Sequence, residues 1–406
     1  MIEEIDNDPW LSGGIYGAIS LSPAPDYQEF PIRIETSFDV SEPYKLSDIR
    51  LIKTNQGLSI DTIKLANPEF SNRKGRTDQD HCMLIKIHIY VRPGLVFDYL
   101  NLHTQHLDIK IDPALNMTIG HTSIQTQYGT VYSAPSAGLS SRETRISVTS
   151  GSISGSYDLL DLLSIKSQSG SISVYVNPKE ALKSDPKPAL FAIDSRSGSV
   201  KAEFPTFNLP DRVYKTDVST NVGSIDGTYI NGEYSTFVSQ SGSIIATILP
   251  FASGNSSTLM TKSNSGLHAI HVLPPYKGKS SLKSFQSSHH TTSGSLKLDY
   301  PSGWEGKISG STGSGSINLS GEGLHIIKQS RMKASDVSEK GAWWERWGSS
   351  SDGVYAPNSH SILAEKGEGD SLIQFGTGSG SVNVVVGVAM KRPRWMDVGL
   401  PVGVCD

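Results

Sequence analysis

The sequence predicts an all-β protein, a parallel β-solenoid with a β-rich N-terminal cap and one loop insertion, and three observations carry that expectation. First, Ser-Gly-Ser followed by an aliphatic residue recurs along the chain, with turn glycines at Gly151, Gly170, Gly198, Gly223, Gly242, Gly294, Gly315 and Gly380. Second, the residue two places after the glycine is aliphatic at Val131, Ile153, Ile172, Val200, Ile225, Ile244, Leu296, Ile317 and Val382. Third, from Gly151 to Gly315 the glycine steps, counting a further glycine at Gly266, are 19 to 28 residues, the size of a short stacking repeat.

Each unit reads as strand, glycine turn, strand. Beyond the first aliphatic residue the same-face positions continue as Val174 and Val176, Ala246 and Ile248, or Val384 and Val386, which is strand periodicity of two. The intervening positions carry Ser, Lys, Asn, Asp or Thr, so one face is dry and the other wet. Glycine suits the turn because it reaches positive φ without the penalty of a β-carbon. Neighbouring Ser and Thr stabilise the bend through backbone hydrogen bonds. Stacked in a solenoid, the aliphatic positions form one ladder at about 4.8 Å per coil. One unit departs from the rule: in NSGLHAIHV the inward position is His268, read as a buried neutral histidine bonded to a backbone carbonyl, with a ligand-binding histidine as the alternative.

The expected organisation follows from where this pattern starts and stops. Residues 1–29 are read as an irregular segment and 30–95 as a β-rich cap, with strands near Ile32–Phe38, Ile49–Thr54 and Leu84–Val91 and a polar loop at Asn72–Asp80. Repeats occupy 96–324 and resume as final coils at 366–390, followed by a tail at 391–406. The interruption at 325–365 lacks a period of two and holds Trp343, Trp344 and Trp347. A loop insertion is the natural reading, and its tryptophans either cover the core or form a partner-binding patch.

Composition excludes several functions. A net charge of -4 and a pI near 6.3 give no positive field for nucleic acid, and the basic run Lys391–Arg394 is read as a solvated tail. Cys82 and Cys405 form neither a disulfide framework nor a metal spacing. No apolar run spans a bilayer. The first residues lack a secretory signal, so either the protein works inside the cell or an export or anchoring segment lies upstream. Its compartment stays unread.

Chemical motifs fail strict tests. Gly151-Ser152-Ile153-Ser154-Gly155 resembles a nucleophile elbow but has Ile153 where the serine must stand. Phosphate and dinucleotide loops are absent. His289-His290 and the pair His103/His106 have opposite strand parity, which suits surface positions better than metal ligation. Asp158 and Asp161 sit among leucines and read as a short loop bridging two coils, and no cluster of carboxylates and basic residues repeats across neighbouring coils, as a carbohydrate-cleaving cleft would need. No catalytic, cofactor-binding or metal residue is predicted.

The SGSI, SGSV and SGSL units between Leu100 and Gly387, above all Lys366–Gly387, resemble the putative-adhesin family of repeat proteins found in bacteria and fungi. That resemblance implies a right-handed β-helix-like fold, consistent with the hand of parallel crossovers, and a surface or adhesive role without a catalytic site. The function expected is a non-enzymatic, Ser/Thr-rich binding surface for a glycan or a protein partner. A carbohydrate-active enzyme on the same fold and a self-assembling structural protein are the rivals.

Overall fold

In the computed structural model, residues 2–5, 15–40, 50–54, 57–61, 83–135, 139–251, 257–276, 282, 284–331 and 360–387 are described. Among them the secondary structure is strand, arranged in a 16-stranded and a 14-stranded sheet. Each coil gives one strand to each sheet, with its glycine at the corner between them. The Gly170 coil, for example, runs Leu162–Ser169, turns, and continues as Ile172–Pro178. Pairing between successive coils is parallel and in register, so Ile153, Ile172, Val200, Ile225 and Ile244 are consecutive rungs. The chain is an all-β solenoid with its core between the two sheets.

Burial follows the alternation read from sequence. Ile172, Val174 and Val176 are buried, and so are Ile225, Ile244, Ile248, Leu298 and Val384. The corner opposite the glycines holds packed rings, including Phe191 edge-on to Phe204 at 5.1 Å and Tyr229 to Phe237 at 4.7 Å. Edge-to-face contacts suit the ring quadrupoles. Tyr157 and Tyr229, equivalent in their coils, each donate a hydroxyl proton to the carbonyl three residues back, Ser154 and Asp226.

Both ends depart from chain order. The segment 1–29, expected to be irregular, contains Ile2–Ile5 and Ile15–Pro23. These strands pair on one side with Gly57–Asp61 and Met83–Val91, and on the other with Val96–Thr104 and Asp108–Ile111. The first coil in sequence is thus the second in space. At the far end, Ser371–Ser379 lies between Phe285–Ser293 and Gly306–Ser314, and Val382–Val386 lies between Leu296–Tyr300 and Ile317–Gly321. The last coil is a wedge between two earlier ones.

Among the described residues antiparallel strands end three of the four sheet edges, the fourth being the parallel strand Ile317–Gly321. Ile32–Val40 runs against Met83–Val91, and Arg50–Thr54 against Gly57–Asp61. At the other end His360–Lys366 lies against Gly306–Ser314 and carries His325–Arg331 in turn. The flanks of the stretch read as an insertion are therefore strands; its middle, with Trp343, Trp344 and Trp347, lies outside the described residues, as do Asn72–Asp80 and the tail.

Candidate functional site

Turn glycines from Gly129 onward form one spine along a narrow edge of the solenoid. In space it runs Gly129, Gly151, Gly170, Gly198, Gly223, Gly242, Gly266, Gly294, Gly380, Gly315, each packed on the carbonyl of the one before. At Gly198, φ is 141° and a β-carbon would run into the carbonyl oxygen of Gly170. Only glycine fits that approach. Gly198 N–H donates to Val222 O at 2.9 Å, and Gly223 N–H to Ser241 O at 3.0 Å, tying coil to coil at the corner.

Two rows of side chains flank the spine. The position before each glycine stacks as Ser150, Ser169, Ser197, Val222, Ser241, Ser265, Ser293, Ser379 and Ser314. The position after it carries Ser152, Ser171, Ser199, Ser224, Ser243, Leu267, Ser295, Ser381 and Ser316, and most of these residues are exposed. One step further from the turn, Gln168, Arg196, Asn221, Gln240, Asn264 and Thr292 form an exposed row rich in amides. Parallel registry repeats these groups once per coil, at about 4.8 Å.

Other hydroxyls point inward, which the sequence reading missed. From Gly170 onward the residue three before the glycine is Ser167, Ser195, Thr220, Ser239, Ser263, Thr291, Thr377 or Thr312, all buried; before Gly151 it is Val148. Several donate to glycine carbonyls of the turn: Ser239 to Gly223 at 3.1 Å, Thr377 to Gly294 at 2.9 Å and Thr312 to Gly380 at 3.0 Å. A hydroxyl at this fixed offset was the available signal. It marks residues that satisfy the buried turn carbonyls.

The histidines need correction. His289, expected on the surface, is fully buried, and His106 is 9% exposed; the His106 ring stacks on Tyr128 at 5.4 Å. His268 is buried as expected, but its partners are side chains rather than a carbonyl. Its Nδ1 lies 3.0 Å from Thr261 Oγ1 and its Nε2 2.8 Å from Ser263 Oγ. Thr261 Oγ1 also contacts His289 Nδ1 at 2.8 Å, His289 Nε2 contacts Tyr300 Oη at 2.8 Å, and Tyr300 donates to Ser287 Oγ at 2.7 Å. Burial pushes His268 down to about 4 and His289, also beside His268, down to about 3. This closed, neutral network has no opening to a ligand. It is an internal polar rung, costly to leave half-satisfied.

Asp158 and Asp161 are held by different basic partners. Asp158 is the penultimate residue of the strand Ile153–Leu159 and meets Lys179 at 3.2 Å. Asp161, at the next corner, is held by Arg142 at 2.7 Å, with Arg212 3.5 Å away. Arg212 is 8% exposed and donates to the carbonyls of Lys179 and Lys187. Acidic and basic groups from neighbouring coils therefore converge at this corner. Around Asp161 they fasten a loop to the stack. Among the described residues no group of three or more His, Cys, Asp or Glu is placed to hold a metal ion, and no helix is long and apolar enough to cross a membrane.

No family model matches the chain, and no curated protein matches it. Among solved structures, the chain is similar to a putative cell adhesion protein from Clostridium sporogenes at 8% identity, covering 95% of this chain and 92% of the other, with a TM-score of 0.16. A superposition that poor carries no argument about fold or role.

Proposed function

We propose that this protein is a non-enzymatic, adhesin-like scaffold whose glycine edge binds an extended partner, a glycan or a protein, at a cell surface. The observation supporting it is the paired serine rows, repeated in register over nine rungs on either side of one glycine spine. Each hydroxyl contact is weak, but a partner that repeats along its own length engages many at once, and the gain is one of avidity. A rigid parallel stack holds the spacing without further ordering on binding.

The self-assembling rival fits less well. Among the described residues antiparallel strands end three of the four sheet edges, leaving Ile317–Gly321 as the one parallel edge that a second solenoid could extend. Co-sedimentation with insoluble cell-wall polysaccharide tests the reading, comparing the full chain with the variant Ser171→Lys, Ser199→Lys, Ser243→Lys. Binding should fall by more than tenfold while the strand spectrum in circular dichroism is kept. Undiminished binding would exclude the serine edge, and release of soluble sugar by pure protein would favour the enzyme rival. Deleting residues 342–353 separately assigns or removes the tryptophans.

A further inference from the structure

A cavity of about 460 Å³ opens on the side of the solenoid away from the glycine spine, where the coil strand Val131–Ser133 is only three residues long. Its inner wall is Ile111, Ile124 and Leu139. Two polar side chains break this apolar lining. Ser133 stands where the other coils carry Val174, Ala202, Ala246 or Ile270. Thr144 stacks in register on Leu163, which stacks on Phe191.

Ser133 is 2% exposed and Thr144 5%, and both line the cavity, where their hydroxyls are open to what enters it. Equivalent hydroxyls elsewhere are satisfied: Thr216 donates to Ile230 O at 3.1 Å and Ser235 to the same carbonyl at 3.4 Å. Buried polar groups are ordinarily paired. Where such a group faces an open cavity, water or a bound ligand supplies the pairing.

The cavity mouth is polar and carries both signs of charge. Asp158, whose side chain is 13% exposed, lies 3.2 Å from Lys179, and Asn177 donates to Ser156 Oγ at 2.7 Å. Asp158 and Asn177 are adjacent rungs. The volume falls in the range of small-molecule sites. An acyl chain would leave the two inner hydroxyls unpaired at a desolvation cost, and the mutual pairing of Asp158 and Lys179 gives no net charge to attract a simple ion. A neutral polyol with one C–H face meets every part of the lining.

We infer that this cavity binds a single neutral sugar unit, its C–H face against Ile111, Ile124 and Leu139 and its hydroxyls on Ser133, Thr144, Asp158 and Asn177. It stands on residues remote from the serine rows. The site therefore survives if the multivalent reading fails.

Saturation-transfer NMR and calorimetry on the full chain, with glucose, galactose, mannose and N-acetylglucosamine as probes and leucine and octanoate as contrasts, test it. At least one monosaccharide should bind. Thr144→Val, which keeps the core shape, and Asp158→Asn should each weaken that binding at least tenfold without lowering the melting temperature. The triple serine-edge variant should leave it unchanged. No monosaccharide binding at millimolar concentration, tighter binding of leucine or octanoate, or sugar binding indifferent to both cavity variants would each overturn the inference.

Discussion

From Gly151 to Gly242 the coils follow one another in space as they do in sequence, and their inward side chains are largely aliphatic and aromatic. Past Gly266 both regularities lapse. The spine runs Gly294, Gly380, Gly315, and the core takes in His268, His289 and Tyr300 as a hydrogen-bonded chain. The contrast shows that coils of this kind are interchangeable as neighbours: any two edges that offer the same parallel ladder and the same inward aliphatics can pair. Only what surrounds them selects the order. The central coils behave as a one-dimensional array, in which each rung depends on its immediate neighbours; the wedged coil makes two otherwise separate edges depend on one late segment.

Removing residues 360–406 tests that dependence most severely. In a simple array the loss would stop at the deleted rung. Here Gly306–Ser314 and Ile317–Gly321 lose their parallel partners, so hydrogen exchange should show protection gone from 306–321 as well, with the Gly170 and Gly198 coils intact. Retained protection at 306–321 would mean that those strands re-pair with the Gly294 coil.

Next in size is Gly198→Ala, which combines positive φ with a collision against Gly170 O. Backbone strain and overpacking together predict a loss of roughly 3 kcal/mol or more, read from urea melts. Gly94→Ala, also at positive φ but with nothing within 4 Å, should cost clearly less; equal losses would refute the role of close glycine stacking.

Acid should separate the two regions. The folded state holds His268 and His289 neutral, with values of about 4 and about 3 against roughly 6.5 when unfolded. The unfolded chain thus binds protons first, and stability present above about pH 6.5 is lost as pH falls toward 4 and then 3. Exchange protection of the Gly266 and Gly294 coils should fall across that window ahead of the central coils. Uniform loss would place the acid-sensitive groups elsewhere. The smallest effect expected is that of Ser195→Ala, which removes the Ser195 bond to Gly198 O and should cost about 1 kcal/mol in the same urea melts; no change would show that this buried hydroxyl contributes nothing.

Much of a single coil was legible from its residues. The corner glycine, the inward aliphatics and the exposed serines follow from φ preference and the two-residue period, both local properties. Within the prospective sites legibility was uneven. The buried hydroxyl three before most of the glycines was hidden because serine occupies wet and dry positions alike in this chain. His289 was misplaced because adjacent histidines disclose opposite faces without disclosing which is inward. Asp158 looked like part of a bridging loop because its partner Lys179 lies a coil away, and the cavity beside it exists only through contacts among Ile111, Ser133, Thr144 and Asp158.

By itself, then, the sequence determined the shape of one rung: where it turns, which side is dry, and that rungs stack in parallel. Tertiary structure alone decided which rung lies beside which, that the terminal coils wedge inward, and where polar groups meet across coils. The physical reason is that ladder hydrogen bonds join backbone groups common to every residue, so neighbouring edges carry little sequence identity. Their order is set by packing and closure of the whole stack.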